Sequence, residues 1–571
     1  MKKFVVLALF GLLIIAFSGM AYAQKLEFKA SGSIDFDTIL AMNVADYFTQ
    51  VATVHGTHGG VFQTWAIPAF TPAALGGKPT NGLDHVRSYT TSRGLLKFDA
   101  IMDKNLSGTI YFEIDAFRWG GSAGWNSTGK GQLGLGAHGG VLSQGSERNT
   151  NGVWSTDRGA VEVKNVYFDV GIPYFGIPVP MTVRIGTQPF GVRPHIFMYT
   201  DGAGITGGIQ AGPVTIIPMW AKVTEGLDWA ADDTDMYGLH VNAKLGTMTI
   251  GGYALYFNMN TYPGEYVTGL NWNGVSGLVW PTNTSASYGL YEPGTGKSNM
   301  WWFGAYVDGK AGPVNITLDF VYDYGKVQQK NMINSDGTGN SFYARDVDYA
   351  GWATRGKFDF PWEKFNFGVV GMYATGADAN KTSTGGMPGS LVANPSYAAK
   401  GVITKKVSSY MVPPASEQSP ASGGLNDSIV MYSCFNAVAD GGTGIANVSN
   451  YFGMSRGGFG GTAFLKGYGS VKAAPWYKIT LQGLYIWDTT KHGNTFGTAR
   501  KPDGLTLKDD NGIGFELDLI QEIDIYKNLK GFIGLGYLWG GSGLDVWNSS
   551  LSRNFSPKDP WNFTTRLLYT F

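Results

Sequence analysis

Residues 314–324 read VNITLDFVYDY, a stretch in which apolar and polar side chains alternate. The apolar positions are Val314, Ile316, Leu318, Phe320 and Tyr322. The polar positions between them are Asn315, Thr317, Asp319 and Asp323. Because successive side chains of a strand point to opposite faces, this pattern predicts a β-strand with one apolar face and one polar face.

The same period-two pattern recurs along the chain, for example in residues 109–117, 513–523 and 561–571. Eighteen segments of about ten residues show it. Their approximate bounds are 25–37, 91–102, 106–117, 160–170, 181–189, 203–211, 214–222, 236–245, 248–258, 300–311, 314–324, 350–360, 365–375, 458–473, 477–488, 513–523, 529–540 and 561–571.

The connections between these segments alternate between short and long. The short ones contain Gly, Pro, Asn or Asp, as tight turns do: 103–105, 173–180, 212–213, 246–247, 312–313, 361–364, 475–476 and 526–528. The long ones are 44–90, 118–159, 190–202, 223–235, 259–299, 325–349, 376–457, 489–512 and 541–560. This alternation predicts an all-β, transmembrane antiparallel barrel of about 18 strands, with 16 as the runner-up. The short turns would be periplasmic and the long loops extracellular.

The N-terminus indicates export. Lys2 and Lys3 precede an apolar run over residues 4–17, and Ala-Tyr-Ala at 21–23 is a small-x-small cleavage site. The run is shorter than the roughly 20 residues that a membrane-spanning helix needs. We therefore expect a cleaved signal peptide at 1–23 and one barrel domain over 24–571.

Composition agrees with a membrane barrel. Charged residues are 15% of the chain, whereas soluble proteins have about 25%. A soluble β-sandwich, propeller or β-helix is the alternative, but no repeat of 40–50 residues is visible. Without Lys2 and Lys3 the chain has 41 basic and 43 acidic groups, which gives no sign of a nucleic-acid partner.

Several stretches resemble large Gram-negative porins and the alginate-export type of barrel. They are RGLLKFDAIMDKNLSGTIYFEID at 93–115, NVYFDVGIP at 165–173, VRIGTQPFG at 183–191, YTDGAG at 199–204, FELDLIQEIDIYKNLKGFIGLGYLWGG at 515–541 and RLLYTF at 566–571. The resemblance implies a place in the cell outer membrane, among lipid and lipopolysaccharide. It also implies an assembly signal at Tyr569 and Phe571, read by the barrel-assembly machinery, and a homotrimeric arrangement.

A pore works through the charges that line it. From the alternation, the polar face is expected to carry Lys97, Asp99, Glu113, Asp115, His240, Lys244, Asp308, Asp319, Asp323, Arg355, Lys357, Glu516, Asp518 and Arg566. Both signs occur, so no strong ion selectivity follows from the list. For any single one of these residues, a cross-strand pair that holds the barrel together is the favoured interpretation.

The third outside loop, residues 189–204, is the candidate constriction. It holds Arg193, His195 and Asp201 and is flanked by Arg184 and Gln188. In general porins the third loop folds into the lumen, and that analogy suggests Arg184, Arg193 and Asp201 as an eyelet. A simple surface loop remains the alternative.

The loop 376–457 is long enough to be functional, as a lid or a subunit contact, or to be disordered. It holds Cys434, the only cysteine, so no internal disulfide is expected.

We expect a passive channel for small hydrophilic solutes. The alternatives are a channel that exports or takes up a polysaccharide or oligosaccharide, and a structural or adhesive barrel or a sheath for a redox partner. No cofactor, metal site or enzyme motif is expected. The pair His55 and His58 is too weak a signal for metal binding without a helix to hold it.

Overall fold

The structure is a computed structural model of the 571-residue chain. It describes residues 26–43, 86–118, 161–172, 179–225, 229, 231–260, 296–329, 333–335, 341–343, 347–381, 406–414, 416, 427–432, 454–548 and 551–571. The expected signal peptide, Cys434, His55 and His58 lie outside these residues.

The described elements are almost entirely strands. In chain order they are β1 (Glu27–Met42), β2 (Val86–Asp103), β3 (Leu106–Arg118), β4 (Val161–Ile172), β5 (Met181–Val192), β6 (Met198–Ala211), β7 (Val214–Thr224), β8 (Thr234–Leu245), β9 (Met248–Met259), β10 (Gly296–Ala311), β11 (Val314–Gln329), β12 (Ile333–Ser335), β13 (Ser341–Tyr343), β14 (Val347–Trp362), β15 (Phe365–Ala374), β16 (Lys406–Val407), β17 (Thr462–Ala474), β18 (Tyr477–Asp488), β19 (Gly512–Tyr526), β20 (Leu529–Gly540), β21 (Val546–Asn548), β22 (Arg553–Phe555) and β23 (Trp561–Thr570). One 3₁₀ turn covers Ser542–Leu544. Among the described residues, no helix is long and apolar enough to cross a membrane.

Eighteen of the strands form one closed antiparallel barrel. Each pairs with the next barrel strand along the chain, and β23 pairs with β1 from Ser33↔Thr570 to Met42↔Trp561. The small strands β12–β13 and β21–β22 form hairpins outside the barrel, and β16 lies parallel to the end of β14. The predicted fold class and strand number are confirmed.

The two faces of the wall differ as the alternation requires. On β19, Phe515, Leu517 and Leu519 are 42%, 39% and 37% exposed on the outside, whereas Glu516 and Asp518 are fully buried. Aromatic rings also collect at the short-turn end, where Trp362 lies against Phe365 and Trp476 stacks on Tyr477. An apolar outer face bounded by aromatic rings indicates a barrel that spans a membrane.

The tight turns at one end depend on glycine. Gly212, Gly246 and Gly312 have φ values of +60°, +63° and +61°, in the left-handed region. Tight hairpin turns require this backbone conformation, and residues other than Gly, Asn and Asp rarely adopt it. These glycines let β6–β7, β8–β9 and β10–β11 connect with almost no intervening chain.

The predicted loop at 190–202 is wrong in extent. Strand β5 runs through Pro189 to Val192, and β6 begins at Met198, so the connection is only residues 193–197. The local Pro and Gly suggested a loop, but Pro189 pairs with Asp201 inside the sheet. A strand accepts proline where its missing N–H is not needed by the ladder. Strand β1 likewise extends to Met42, beyond the predicted end at 37.

A charge on the outer face should destabilise the barrel according to its depth. Leu519→Arg, at the middle of β19, should lower the free energy of unfolding in lipid by about 2–4 kcal/mol. Tyr526→Arg, at the short-turn end of the same strand, is the control and should cost about 0–1 kcal/mol. Urea titration of the lipid-refolded protein measures both. Equal costs would contradict the assignment of the outer face to lipid.

Candidate functional site: the barrel interior

The predicted polar face lines the interior of the barrel. The structure places these predicted residues at inner positions of their strands: Lys97, Asp99, Glu113, His240, Lys244, Asp308, Asp319, Asp323, Arg355, Lys357, Glu516, Asp518 and Arg566. Their neighbours in sequence face outward, as Phe98, Leu239 and Leu567 do with 45–47% exposure. The backbone of Asp115 lies in β3, but its side chain is outside the description.

One side of the wall is braced by ion pairs between strands. Arg566 on β23 binds Asp35 on β1 at 2.5 Å. Glu113 on β3 accepts from Arg93 on β2 at 2.5 Å and from Lys164 on β4 at 2.8 Å. Bases and acids therefore alternate from strand to strand, and this agrees with the bracing interpretation of the lumen charges.

The three residues of the suggested eyelet lie in separate contacts. Arg184 binds Asp169 through two hydrogen bonds of 2.7 and 2.9 Å. Asp201 accepts from Lys164 at 3.0 Å and from the Asn165 side chain at 2.9 Å. Among the described residues, no hydrogen bond or ion pair joins these groups to Arg193. The neighbouring Gln188 donates to the backbone carbonyl of Gly204 at 2.9 Å.

The connection 193–197 folds into the barrel and reaches distant strands. Arg193 donates to Asp308 on β10, with one bond of 3.0 Å, and also to Asp319 on β11. His195 Nε2 lies 2.7 Å from Asp319 Oδ2. Phe197 is fully buried and stacks on Tyr253 of β9, with ring centroids 5.1 Å apart. The predicted loop is therefore short, yet its side chains do enter the lumen.

The described parts of the long loop also lie inside the barrel. Within residues 406–416, Tyr410 donates its hydroxyl to the carbonyl of Ile196 at 2.9 Å. The N–H of Met411 donates to Asp323 at 3.0 Å, and its carbonyl accepts from Trp302 at 2.9 Å. Asp323 also accepts from the N–H of Gly351. This inner-face carboxylate thus anchors the loop through backbone donors.

A second part of the long loop, residues 427–432, is anchored by a buried ion triad. Asp427 accepts from Arg355 on β14 and from Lys466 on β17, each at 2.9 Å. Burial alone would raise the pKa of Asp427, but the charges of Arg355 and Lys466 outweigh it and hold that pKa well below its usual value. The carboxylate is therefore ionised and fully paired inside the barrel.

The side chain of Glu516 binds the backbone of the same segment, residues 427–432. Its carboxylate accepts the N–H groups of Ile429 and Val430 at 2.8 Å and that of Met431 at 2.9 Å. The hydroxyl of Ser428 adds a fourth bond at 2.9 Å. Successive N–H groups that converge on one anion form a nest, in which the anion is stabilised without any countercharge.

Apolar packing completes the interior at the long-loop end. The segments 193–198, 406–414 with 416, and 427–432 are here called the inner plug. They share one buried cluster with side chains of the wall: Ile196, Phe197, Met198, Phe257, Met300, Trp302, Tyr410, Met411, Val430, Met431, Tyr432 and Phe464. The inner plug is thus packed as a protein core and pinned by carboxylates. Sequence alternation predicted Asp319, Asp323 and Glu516 at the inner face, but Asp427 lies in the predicted long loop and was missed. The sequence also gave no sign of the backbone partners of these carboxylates.

The interior contains no metal centre in the part of the chain that is described. No group of three or more His, Cys, Asp or Glu side chains there is arranged to hold an ion. The carboxylates there bind basic side chains and backbone N–H groups instead.

A closed antiparallel wall, apolar outside and charged inside, is the architecture of outer-membrane pores. The chain folds as a porin-like β-barrel. No protein-family model matches it, and no curated protein matches it in sequence.

Solved structures that align with most of the chain include three from Pseudomonas species. OccK8 (OprE) of Pseudomonas aeruginosa has a TM-score of 0.44 and 9% identity, over 95% of this chain and 98% of that one. OpdQ of the same organism has a TM-score of 0.43 and 8% identity, over 95% and 97%. A BenF-like porin from Pseudomonas fluorescens Pf-5 has 0.42 and 8%, over 95% and 98%.

Removal of the Asp427 charge should release the inner plug. Asp427→Asn leaves Arg355 and Lys466 buried without a counter-ion, which costs about 3–5 kcal/mol. We expect faster proteolysis within residues 376–457 of the folded barrel and a higher single-channel conductance.

Asp524→Asn is the matched control, since Asp524 is exposed near a short turn and lies 3.8 Å from Lys530. Unchanged protease resistance and conductance in Asp427→Asn would show that the triad does not hold the segment in place.

Proposed function

We propose that this protein is an outer-membrane channel through which small hydrophilic solutes, sugars among them, diffuse passively. The observation that carries the proposal is the closed 18-stranded wall with a charged inner face. A wall of this size encloses an aqueous channel unless loops fill it. The chain is proposed to be non-enzymatic and to need no cofactor.

The inner plug is proposed to be the constriction. It would narrow the lumen from the side formed by β9 to β19, because the carboxylates that bind it are on that side. Asp319 and Asp323 lie on β11 and Glu516 lies on β19, and Asp427 of the plug binds Arg355 on β14. Arg193 and His195 would form its edge. Arg184, Gln188 and Asp201 would line the approach on the opposite wall, where ion pairs leave the surface polar.

Export and assembly are proposed to depend on the two ends of the chain. The N-terminal segment would direct export and be cleaved, and Tyr569 and Phe571 would be read by the barrel-assembly machinery. The backbone of Phe571 exchanges two hydrogen bonds with Gly32, of 2.9 and 3.0 Å, and so closes the barrel beside β1. The mature protein would lie among outer-membrane lipid and lipopolysaccharide, as a homotrimer.

Planar-bilayer recording tests the proposal. The purified protein should give stepwise currents in potassium chloride, and liposomes that contain it should swell in small sugars. Block of the current by one oligosaccharide would favour the alternative of specific saccharide transport. Absence of both current and swelling would overturn the proposal in favour of a sealed structural barrel.

The size limit of the channel should depend on the two carboxylates that bind the plug backbone. In the variant with Asp323→Ala and Glu516→Ala, the loop N–H groups lose their acceptors, so larger sugars should enter liposomes than with the wild type. The control variant carries Asp99→Ala and Asp359→Ala, two inner carboxylates that pair with Lys97 and Lys357 at 3.0 and 3.3 Å. An equal size limit in all three proteins would contradict a constriction by the inner plug.

A further inference from the structure

We infer that Arg456 forms a binding site for a small inorganic oxyanion, such as phosphate or sulfate, at the long-loop end of the barrel. Arg456 lies in the connection that leads into β17, outside the barrel strands. Its side chain is almost completely buried, and the residue is 4% exposed. Burial lowers the pKa of Arg456 to about 10, so the guanidinium is still charged at neutral pH. The protein therefore holds a fixed positive charge inside a packed junction of loops.

The guanidinium of Arg456 has few acceptors in the protein. Its Nη1 donates to the carbonyl of Thr495 over a long distance of 3.4 Å, and its Cζ lies 4.5 Å from the centre of the Phe496 ring. Its Nε and Nη2 are buried and have no hydrogen-bond partner. A buried charge without a partner is strongly unfavourable, and buried polar atoms are nearly always hydrogen-bonded. Two unused donor atoms on one buried cation therefore indicate a missing ligand.

Neighbouring groups do not supply the missing negative charge. Asp488 is the acid whose charge acts on Arg456, but no ion pair joins the two among the described residues. The Oδ1 of Asp488 accepts the N–H of Thr490 at 2.7 Å, and its Oδ2 accepts the N–H of Thr495 at 2.5 Å. The five residues after Arg456 read GGFGG and have no acidic side chain. Water could accept the hydrogen bonds, but only an anion also neutralises the charge.

A second unused donor lies in the same junction. Asn494 is 3% exposed, and its Nδ2 has no hydrogen-bond partner. Its Oδ1 accepts the N–H of Asp510 at 2.9 Å, and this bond fixes the orientation of the amide. Asn494 directly precedes Thr495, whose carbonyl binds Arg456. The unused atoms of both side chains are donors, and a guanidinium beside a neutral amide suits the oxygens of phosphate or sulfate.

Backbone hydrogen bonds connect this site to the inner plug. Ser455, next to Arg456, exchanges two of them with Val412 of the plug, at 2.7 and 3.4 Å. On the other side, the hydroxyl of Thr495 donates to the carbonyl of Gly461 at 2.9 Å. An anion held between Arg456 and residues 494–496 would fasten these loop segments to each other and so stabilise the plug in its present position.

Equilibrium dialysis with radiolabelled phosphate tests the site directly. The protein is refolded in detergent without lipopolysaccharide, so that bound phosphate is the free ion and not a lipid headgroup. The wild type should bind a single phosphate per chain, and sulfate should compete for it. Arg456→Met should weaken binding by about tenfold or more, because charge-assisted hydrogen bonds are lost. Asn494→Ala should weaken it severalfold through the loss of one neutral hydrogen bond.

Arg553→Met is the matched control, because the exposed Arg553 also lies over an aromatic ring, that of Phe555, at 4.6 Å. Its affinity for phosphate should equal that of the wild type. Failure of the wild type to bind phosphate or sulfate would overturn the inference, and so would an unchanged affinity in Arg456→Met. Binding that appears only when lipopolysaccharide is added would also overturn it.

Thermal unfolding gives a second readout of the same site. A ligand that binds only the native state raises the unfolding temperature. Phosphate should therefore raise it for the wild type and Arg553→Met, less for Asn494→Ala, and not for Arg456→Met. Asn494→Ala keeps the buried arginine, so it decides the question even if Arg456→Met does not refold. Equal shifts in the wild type and Asn494→Ala would contradict the site.

The effect on transport rests on the proposed channel function and is measured separately. Phosphate added to potassium chloride should lower the single-channel conductance of the wild type but not that of Arg456→Met. A conductance that phosphate does not change would overturn the coupling to the inner plug. Absence of any current would instead overturn the channel function and leave the dialysis result standing.

Discussion

Backbone hydrogen bonding is the constraint on which the rest of the structure depends. Lipid offers no partner to an exposed N–H or C=O, so a sheet in a membrane must close on itself. The pairing of β23 with β1 provides that closure, over ten residues from Ser33↔Thr570 onward. Once the wall is closed, the alternation of side chains decides that one face meets lipid and the other encloses a polar interior.

Closure also changes the chemistry of the inner charges. Water and lipid are both excluded where the inner plug packs, so each charged group needs a partner within the protein. Asp427 obtains two basic side chains, whereas Glu516 obtains backbone N–H groups. The same requirement is therefore met with a countercharge in one place and with dipoles in the other.

The contrast between the two sides of the lumen follows from what fills them. From β23 through β1 to β4, acids and bases on neighbouring strands pair with each other, so the charges there need no partner from a loop. Between β10 and β19, loop segments enter the barrel and bring their own polar groups and apolar side chains. The barrel therefore has one side braced by ion pairs between strands and another side covered by the inner plug.

The amino-acid sequence alone determined the barrel class, the strand number and the inner face, because a period of two is a local property that each strand displays by itself. Asp323 and Glu516 were assigned to the interior on that basis. The extent of β5 and β6 was missed, since Pro189 looks like a loop residue until its strand partner is known. The existence and position of the inner plug could be found only from the tertiary structure. Several of its bonds join residues more than 80 positions apart and are donated by backbone N–H groups. Every residue type except proline carries such a group, so no sequence pattern can single these donors out.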